Sequence, residues 1–237
     1  MEEGKFSIWL NPLQWIDVDI PRNDQDYEGI KVEDVLQFIC IPGTGIELAD
    51  FIERYQLINQ EEPRWSFAPN EQNILEKMVW PLRQAKANYV LGNYLATVAL
   101  CGIVAEMLSM LLFEISGITV NNRLITEKDQ VNLFGSKFEK LSQSRRLKVL
   151  IAYGIIDDEL SEEFVKVANS RNKYLHNWSV NHENLANEAR DAYLATVAIA
   201  VRVTGQRTDA GRVYMDTALV RYLQEQGVYT PKGESDI

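Results

Sequence analysis

The sequence predicts an all-α protein, an antiparallel bundle of four principal helices behind an irregular N-terminal extension. Three observations predict it. From residue 71 to 205, apolar residues recur at three- and four-residue steps, the helical period. Gly117, Gly154 and Gly205 stand where three of those stretches stop, as helix-terminating glycines do. Pro12, Pro21, Pro42, Pro63 and Pro69 crowd the first 70 residues, breaking them into turns and short extended pieces.

Taken in order, residues 1–70 form an extension that packs on the core. Phe6, Ile8 and Leu10 alternate, as do Ile16, Val18 and Ile20, which predicts two short strands or extended pieces. Gly43-Thr44-Gly45 lacks the rest of a phosphate-binding loop and reads as a turn before a helix from about Ile46 to Leu57. Residues 71–205 form the bundle. Glu71 to Trp80 leads into Pro81, which suits a first-turn position or a kink. A long helix or a broken pair then runs to about Ser116. Ser136 to Tyr153 is a second amphipathic helix. Asp157 or Asp158 caps a third that ends near His176, and Glu183 to Val203 is a fourth. Residues 206–237 hold a last short helix, Tyr214 to Gln226, and a tail.

Composition narrows the function classes. The 237 residues carry 24 Lys and Arg against 34 Asp and Glu, a formal charge of −10, with 46% apolar residues. This is a globular composition. The acidic balance argues against broad, non-specific binding to nucleic acid or anionic membranes. Met-Glu-Glu-Gly at the start has neither the basic residues nor the apolar run of a secretion signal, which predicts a cytoplasmic protein. Cys40 and Cys101 sit in apolar runs and read as buried free thiols, with no metal-ligand spacing around either. Leu95 to Phe113 is nearly all apolar, with Glu106 as its one charge. An acid near mid-span is costly in lipid, so it reads as a buried core helix and no membrane span is expected.

The third helix carries the chemistry. Leu160, Phe164, Val167, Arg171 and then Tyr174 or Leu175 follow the helical step, which puts Arg171 on an apolar stripe. A charge there must be paired or face a partner surface, and Glu106 is its preferred partner. Asn172 and His176 are four apart and share a face, whereas Arg171 and His176 lie about 140° apart. Arg171, Asn172 and His176 near a helix end could line one cleft, more readily if a second chain supplied the opposite wall.

Arg171-Asn172-Lys173-Tyr174-Leu175-His176 resembles the Arg, polar residue, three others, His motif of the HEPN superfamily. The stretch Leu147 to Leu160 resembles the helix and turn that lead into that motif. Val104-Ala105-Glu106 resembles the earlier helix on which many members place an acid. The resemblance covers about residues 80–205. It implies an HEPN-like four-helix bundle that pairs two motifs across a homodimer and acts as a metal-independent endoribonuclease of a toxin, antiviral defence or RNA-processing system. It implies Arg171, His176, Asn172 and Glu106 as site residues, no cofactor and no metal, and an RNA substrate with a protein regulator as a further partner. The residue types suit that chemistry: histidine can move the protons, and an arginine fork stabilises charge on the phosphate. In one subgroup a Tyr two residues after the His is the target of a nucleotidyltransferase partner. Trp178 stands there, a departure from that subgroup's pattern that puts control by modification in doubt.

Blander readings stand beside these. Many members are non-catalytic interaction or regulatory modules. Arg171 with Glu106 can be a structural ion pair, and His176 a helix C-terminal cap. His182 lies in a polar loop and reads as solvated. Arg145, Arg146 and Lys148, and Arg202, Arg207 and Arg212, form basic runs that are solvated faces unless they converge on the motif. Trp9, Trp15, Trp65 and Trp80 read as packing anchors, and Glu61-Glu62 and Glu162-Glu163 as exposed charges. Ala87-Asn88 with Tyr94 to Ala99 recurs as Ala186-Asn187 with Tyr193 to Ala198, in unmatched flanks that argue against a duplicated domain; small residues let helix backbones approach closely, and that pressure alone can produce the likeness.

Overall fold

The computed structural model describes residues 47–60, 72–177, 179–205, 207–209 and 212–226. Among them run α1 (Leu48–Gln60), α2 (Gln72–Val90), α3 (Tyr94–Ser116), the strands β1 (Thr119–Val120) and β2 (Arg123–Leu124), and α4 (Glu127–Phe134). A 3-10 turn at Phe138–Lys140 leads to α5 (Gln143–Ala152), α6 (Asp158–Leu175) and α7 (Leu185–Val203). The strands β3 (Arg207–Asp209) and β4 (Arg212–Tyr214) and helix α8 (Thr217–Glu225) close the order. The described residues are all-α apart from two antiparallel two-stranded hairpins. The sequence-predicted strands at 6–20, the turn at Gly43, Cys40, Trp9, Trp15, Trp65, Glu61-Glu62 and Trp178 lie outside the described residues.

Helix α3 is the centre. It packs against α2, α5, α6, α7 and α8, and α6 and α7 pack on each other. Long and apolar enough by composition to cross a membrane, it has half of that stretch buried inside the fold. Val98, Cys101, Val104, Ala105 and Leu108 are its core residues. The two copies of the repeated hexapeptide lie in α3 and α7, which pack directly together. Thr97 and Thr196, equivalent in the repeat, are both fully buried. Each hydroxyl donates to a backbone carbonyl, Thr97 to Ala85 O at 3.1 Å and Thr196 to Ala192 O at 2.7 Å. A β-branched hydroxyl thus enters the core with its polar atom satisfied. Burial raises the Cys101 thiol to about 12, which keeps it protonated and inert.

Chain breaks follow local chemistry. The stretch before Ser116 is a broken pair, split at 91–93, and Pro81 stands inside α2 rather than in a first turn. Trp80 is 51% exposed, not a packing anchor. Asn121 and Asn122, both at positive φ, make the tight turn of the first hairpin. Thr126 and Asp129 form a reciprocal capping box on α4, and Arg123 grips the same carboxylate at 2.7 and 3.1 Å. Ser136 therefore does not start the second amphipathic helix. The chain passes through the 3-10 turn, and α5 begins at Gln143. The last helix likewise starts at Thr217, because Arg207–Asp209 pairs with Arg212–Tyr214 as β3 and β4. In the N-terminal region α1 buries Phe51 and Ile58, while Arg54 Nε donates to Val90 O at 2.8 Å and ties α1 to the end of α2.

Helix α6 carries the motif and is fixed at its N-terminus by Asp157. The carboxylate accepts from Leu160 N–H at 2.8 Å and from Arg202 of α7. The backbone donor first, and Arg202 second, hold its pKa below the ordinary carboxylate value. A depressed folded pKa contributes stability above the unfolded value and loses it as pH falls through the folded one. Asp157→Ala should therefore lower Tm at pH 7, and the gap to wild type should shrink as pH falls below about 3.9 in a thermal-melt series.

Candidate functional site

Arg171 lies on the buried stripe of α6, among Leu160, Phe164, Val167 and Tyr174, all buried. Its guanidinium Nη1 donates to Glu106 Oε1 on α3. The two side chains are 29% and 32% exposed, so the pair sits at the rim of the α3–α6 seam rather than sealed inside the bundle. Gly102, one turn before Glu106, explains this placement. A Cβ on Gly102 would fall 2.5 Å from Arg171 Cδ, so the glycine is the gap through which the arginine stem crosses α3. The aliphatic stem is buried against helix backbone and the charged head emerges beside solvent.

Arg171, Glu106 and Asn172, with Gln143 of α5, line a cleft of about 30 Å³ floored by Gly102, Ala105, Val167 and Ala168. That is room for about one water molecule. Gln143 Oε1 is buried and meets no donor among the described residues. The cleft therefore offers a guanidinium fork, a carboxylate, a carboxamide from Asn172 and an unsatisfied acceptor. The remaining N–H groups of Arg171 form no other hydrogen bond among the described residues, so they can take an anionic oxygen from outside.

His176 is not part of that wall. It is the exposed C-cap residue of α6, about 7 Å along the axis from Arg171 and on a different side of the helix. Within one chain, then, the structure brings Arg171, Asn172 and Glu106 together and leaves His176 apart. Val165, Asn172 and His176 share one outward flank of α6, each exposed. His182 is exposed, with its ring edge-on to Tyr174 at 5.8 Å. The Tyr174 hydroxyl is buried and unpartnered among the described residues, and Lys173 covers the same ring at 4.9 Å. Among the described residues no group of three or more His, Cys, Asp or Glu side chains could hold a metal.

Among the described side chains the basic runs do not converge on the cleft; the side chains of Arg207 and Arg212 lie outside the described ones. Arg146 turns inward, 8% exposed, with Nη2 on Glu139 O at 2.9 Å. Arg145 and Lys148 face the opposite side of α5 from Gln143, against Leu133, Phe134 and Leu141. Arg202 is held by Asp157 and Glu159 at the N-terminus of α6, and Arg171 is the fourteenth residue of that 18-residue helix, about 20 Å away along its axis. Glu163 pairs with Lys166 on the outer face. Gln143 and Gly102 are the site residues that sequence reasoning missed. Comparison with family models, curated proteins and solved structures returned no match to this chain.

Coupling between Arg171 and Glu106 should lie between that of exposed and buried pairs, because both partners keep about a third of their surface. An Arg171→Ala, Glu106→Ala double-mutant cycle by urea unfolding should give roughly 1 to 2 kcal/mol. A coupling near zero would place the two side chains apart in solution.

Proposed function

We propose that the protein is an HEPN-like, metal-independent endoribonuclease working as a homodimer in a toxin, antiviral defence or RNA-processing setting. The observation that carries this reading is Arg171, steered through the Gly102 gap to a surface cleft beside Asn172, with His176 exposed on the same helix. Arg171 binds the non-bridging oxygens of a phosphodiester. An imidazole takes the proton from the ribose 2′-OH, the 2′-oxygen bonds to phosphorus, and the bond to the 5′-oxygen breaks. That oxygen leaves with a proton from the second imidazole. The products are a 2′,3′-cyclic phosphate and a 5′-hydroxyl end.

His176 lies away from its own Arg171, so the reading needs a second copy to complete each site. The outer face of α3 supports such a pairing. Ile103 is 47% exposed one turn from Glu106, and Leu95 is exposed further along. Ala99 and Met110 are half-buried on the same face. Leu175 and Val165 add exposed apolar surface on α6. Light scattering at micromolar concentration should give about twice the 27.2 kDa chain mass, and a monomer throughout would remove the paired site.

Cleavage of single-stranded RNA should persist in EDTA and give cyclic-phosphate ends. His176→Ala should slow it by about 10² to 10⁴ while leaving the melting temperature near wild type. Arg171→Lys keeps the charge opposite Glu106 but loses the fork, so activity should fall more than stability. Cleavage that survives His176→Ala, or that requires added Mg²⁺, would overturn this mechanism.

A second reading is a non-catalytic module of the same fold that holds or regulates a protein partner. The absence of His176 from the Arg171 cleft and the chain charge of −10 favour it. A stable dimer that cleaves no RNA in a broad panel would select this second reading.

A further inference from the structure

A second concave surface lies on the far side of α5 from the Arg171 cleft. Leu133, Phe134, Leu141, Arg145, Lys148 and Val149 line a groove of about 200 Å³ between α4 and α5. Its charge runs against that of the whole chain. Residues 135–152 carry Lys137, Lys140, Arg145, Arg146 and Lys148 against Glu139 alone, in a protein of net charge −10. Arg146 points inward, Lys137 pairs with Glu127 and Lys140 does not line the groove, so Arg145 and Lys148 are its cations. Arg145 is held in place by Nη2, which donates to Phe134 O at 2.7 Å. The Phe134 ring is buttressed edge-on by Tyr153 at 6.1 Å and by Phe113 at 6.3 Å, so the apolar wall is built on the core. Leu133 is nonetheless 53% exposed at the rim.

We propose that this groove docks an acidic, amphipathic helical segment of a partner protein. A leucine-sized side chain would enter between Leu133 and Val149, and carboxylates one turn away would meet Arg145 and Lys148. The mixed lining, four apolar residues beside two cations, favours an inserted apolar side chain flanked by carboxylates over a nucleic-acid backbone, which would find only two cations here. The strongly acidic remainder of the chain repels an anionic membrane. The surface is separate from the Arg171 cleft, so a partner docked here leaves that cleft open to substrate.

The test uses the full chain and a fluorescein-labelled peptide of about 12 residues, built from leucine and glutamate with leucines at helical spacing. Two controls replace glutamate by lysine or leucine by alanine. Fluorescence polarisation should show saturable binding of the Leu/Glu peptide only, weakening as salt rises. Lys148→Glu and Leu133→Glu should each weaken it by about tenfold. Both positions are exposed, so the melting temperature should stay close to wild type. Equal binding of either control peptide, or binding unchanged by both substitutions, would overturn the proposal. So would no peptide binding, or capture of single-stranded RNA or phosphatidylserine vesicles through Lys148 in its place.

Discussion

The structure depends on how one arginine is carried across the seam between two core helices. Arg171 stands on the apolar stripe of α6, where a charge has no business unless it can leave the core. Gly102 gives its stem a path over α3, and Glu106 meets the head at the rim. The result is a guanidinium fixed in direction yet still reachable from solvent. A bulkier residue at 102 would push the stem off α3 and take the head away from Glu106. A longer burial would turn the pair into a purely structural strut, with its desolvation cost and no free donor.

The rest of the bundle keeps that seam narrow. Helices α3 and α7 pack directly together, and Ala189, Ala192 and Ala200 of α7 are all buried. Thr97 and Thr196 satisfy their own hydroxyls on helix carbonyls and so add no unpaired polar group to the contact. Each hexapeptide thus buries one threonine whose hydroxyl is satisfied on a helix carbonyl, Thr97 on Ala85 of α2 and Thr196 on Ala192 of its own helix. At the other end, Asp157 caps α6 and binds Arg202 of α7. Helix α6 is therefore held to α7 at its start and to α3 through Arg171 near its end.

Much of this was legible in the sequence, for reasons of period. The steps from Leu160 to Tyr174 placed Arg171 on the stripe, and the lone charge in a long apolar helix made Glu106 the natural partner. Asp157 and Gly117 marked helix ends because capping chemistry is local. What stayed hidden was relational. Gly102 looks like an incidental residue of an apolar run, since its role exists only against a side chain 69 positions away. Gln143 is hidden because an amphipathic period read from Ser136 ignores the capping box of Thr126 and the turn that follows α4. The three cations of α5 looked like one basic run. Their spacing around the helix in fact sends Arg146 inward and the other two to a separate groove.

The central claim is that Arg171 is both paired and open to an anion. Side-chain Nε–Hε resonances of arginine report this directly, by NMR titration with uridine 3′-monophosphate. Saturable shifts are expected in the Arg171 signal and in the Asn172 carboxamide, with the Arg171 resonance still coupled to Glu106, so that Glu106→Gln moves it in the free protein. An Arg171 signal indifferent to both the nucleotide and Glu106→Gln would mean a guanidinium neither paired with Glu106 nor open to an anion.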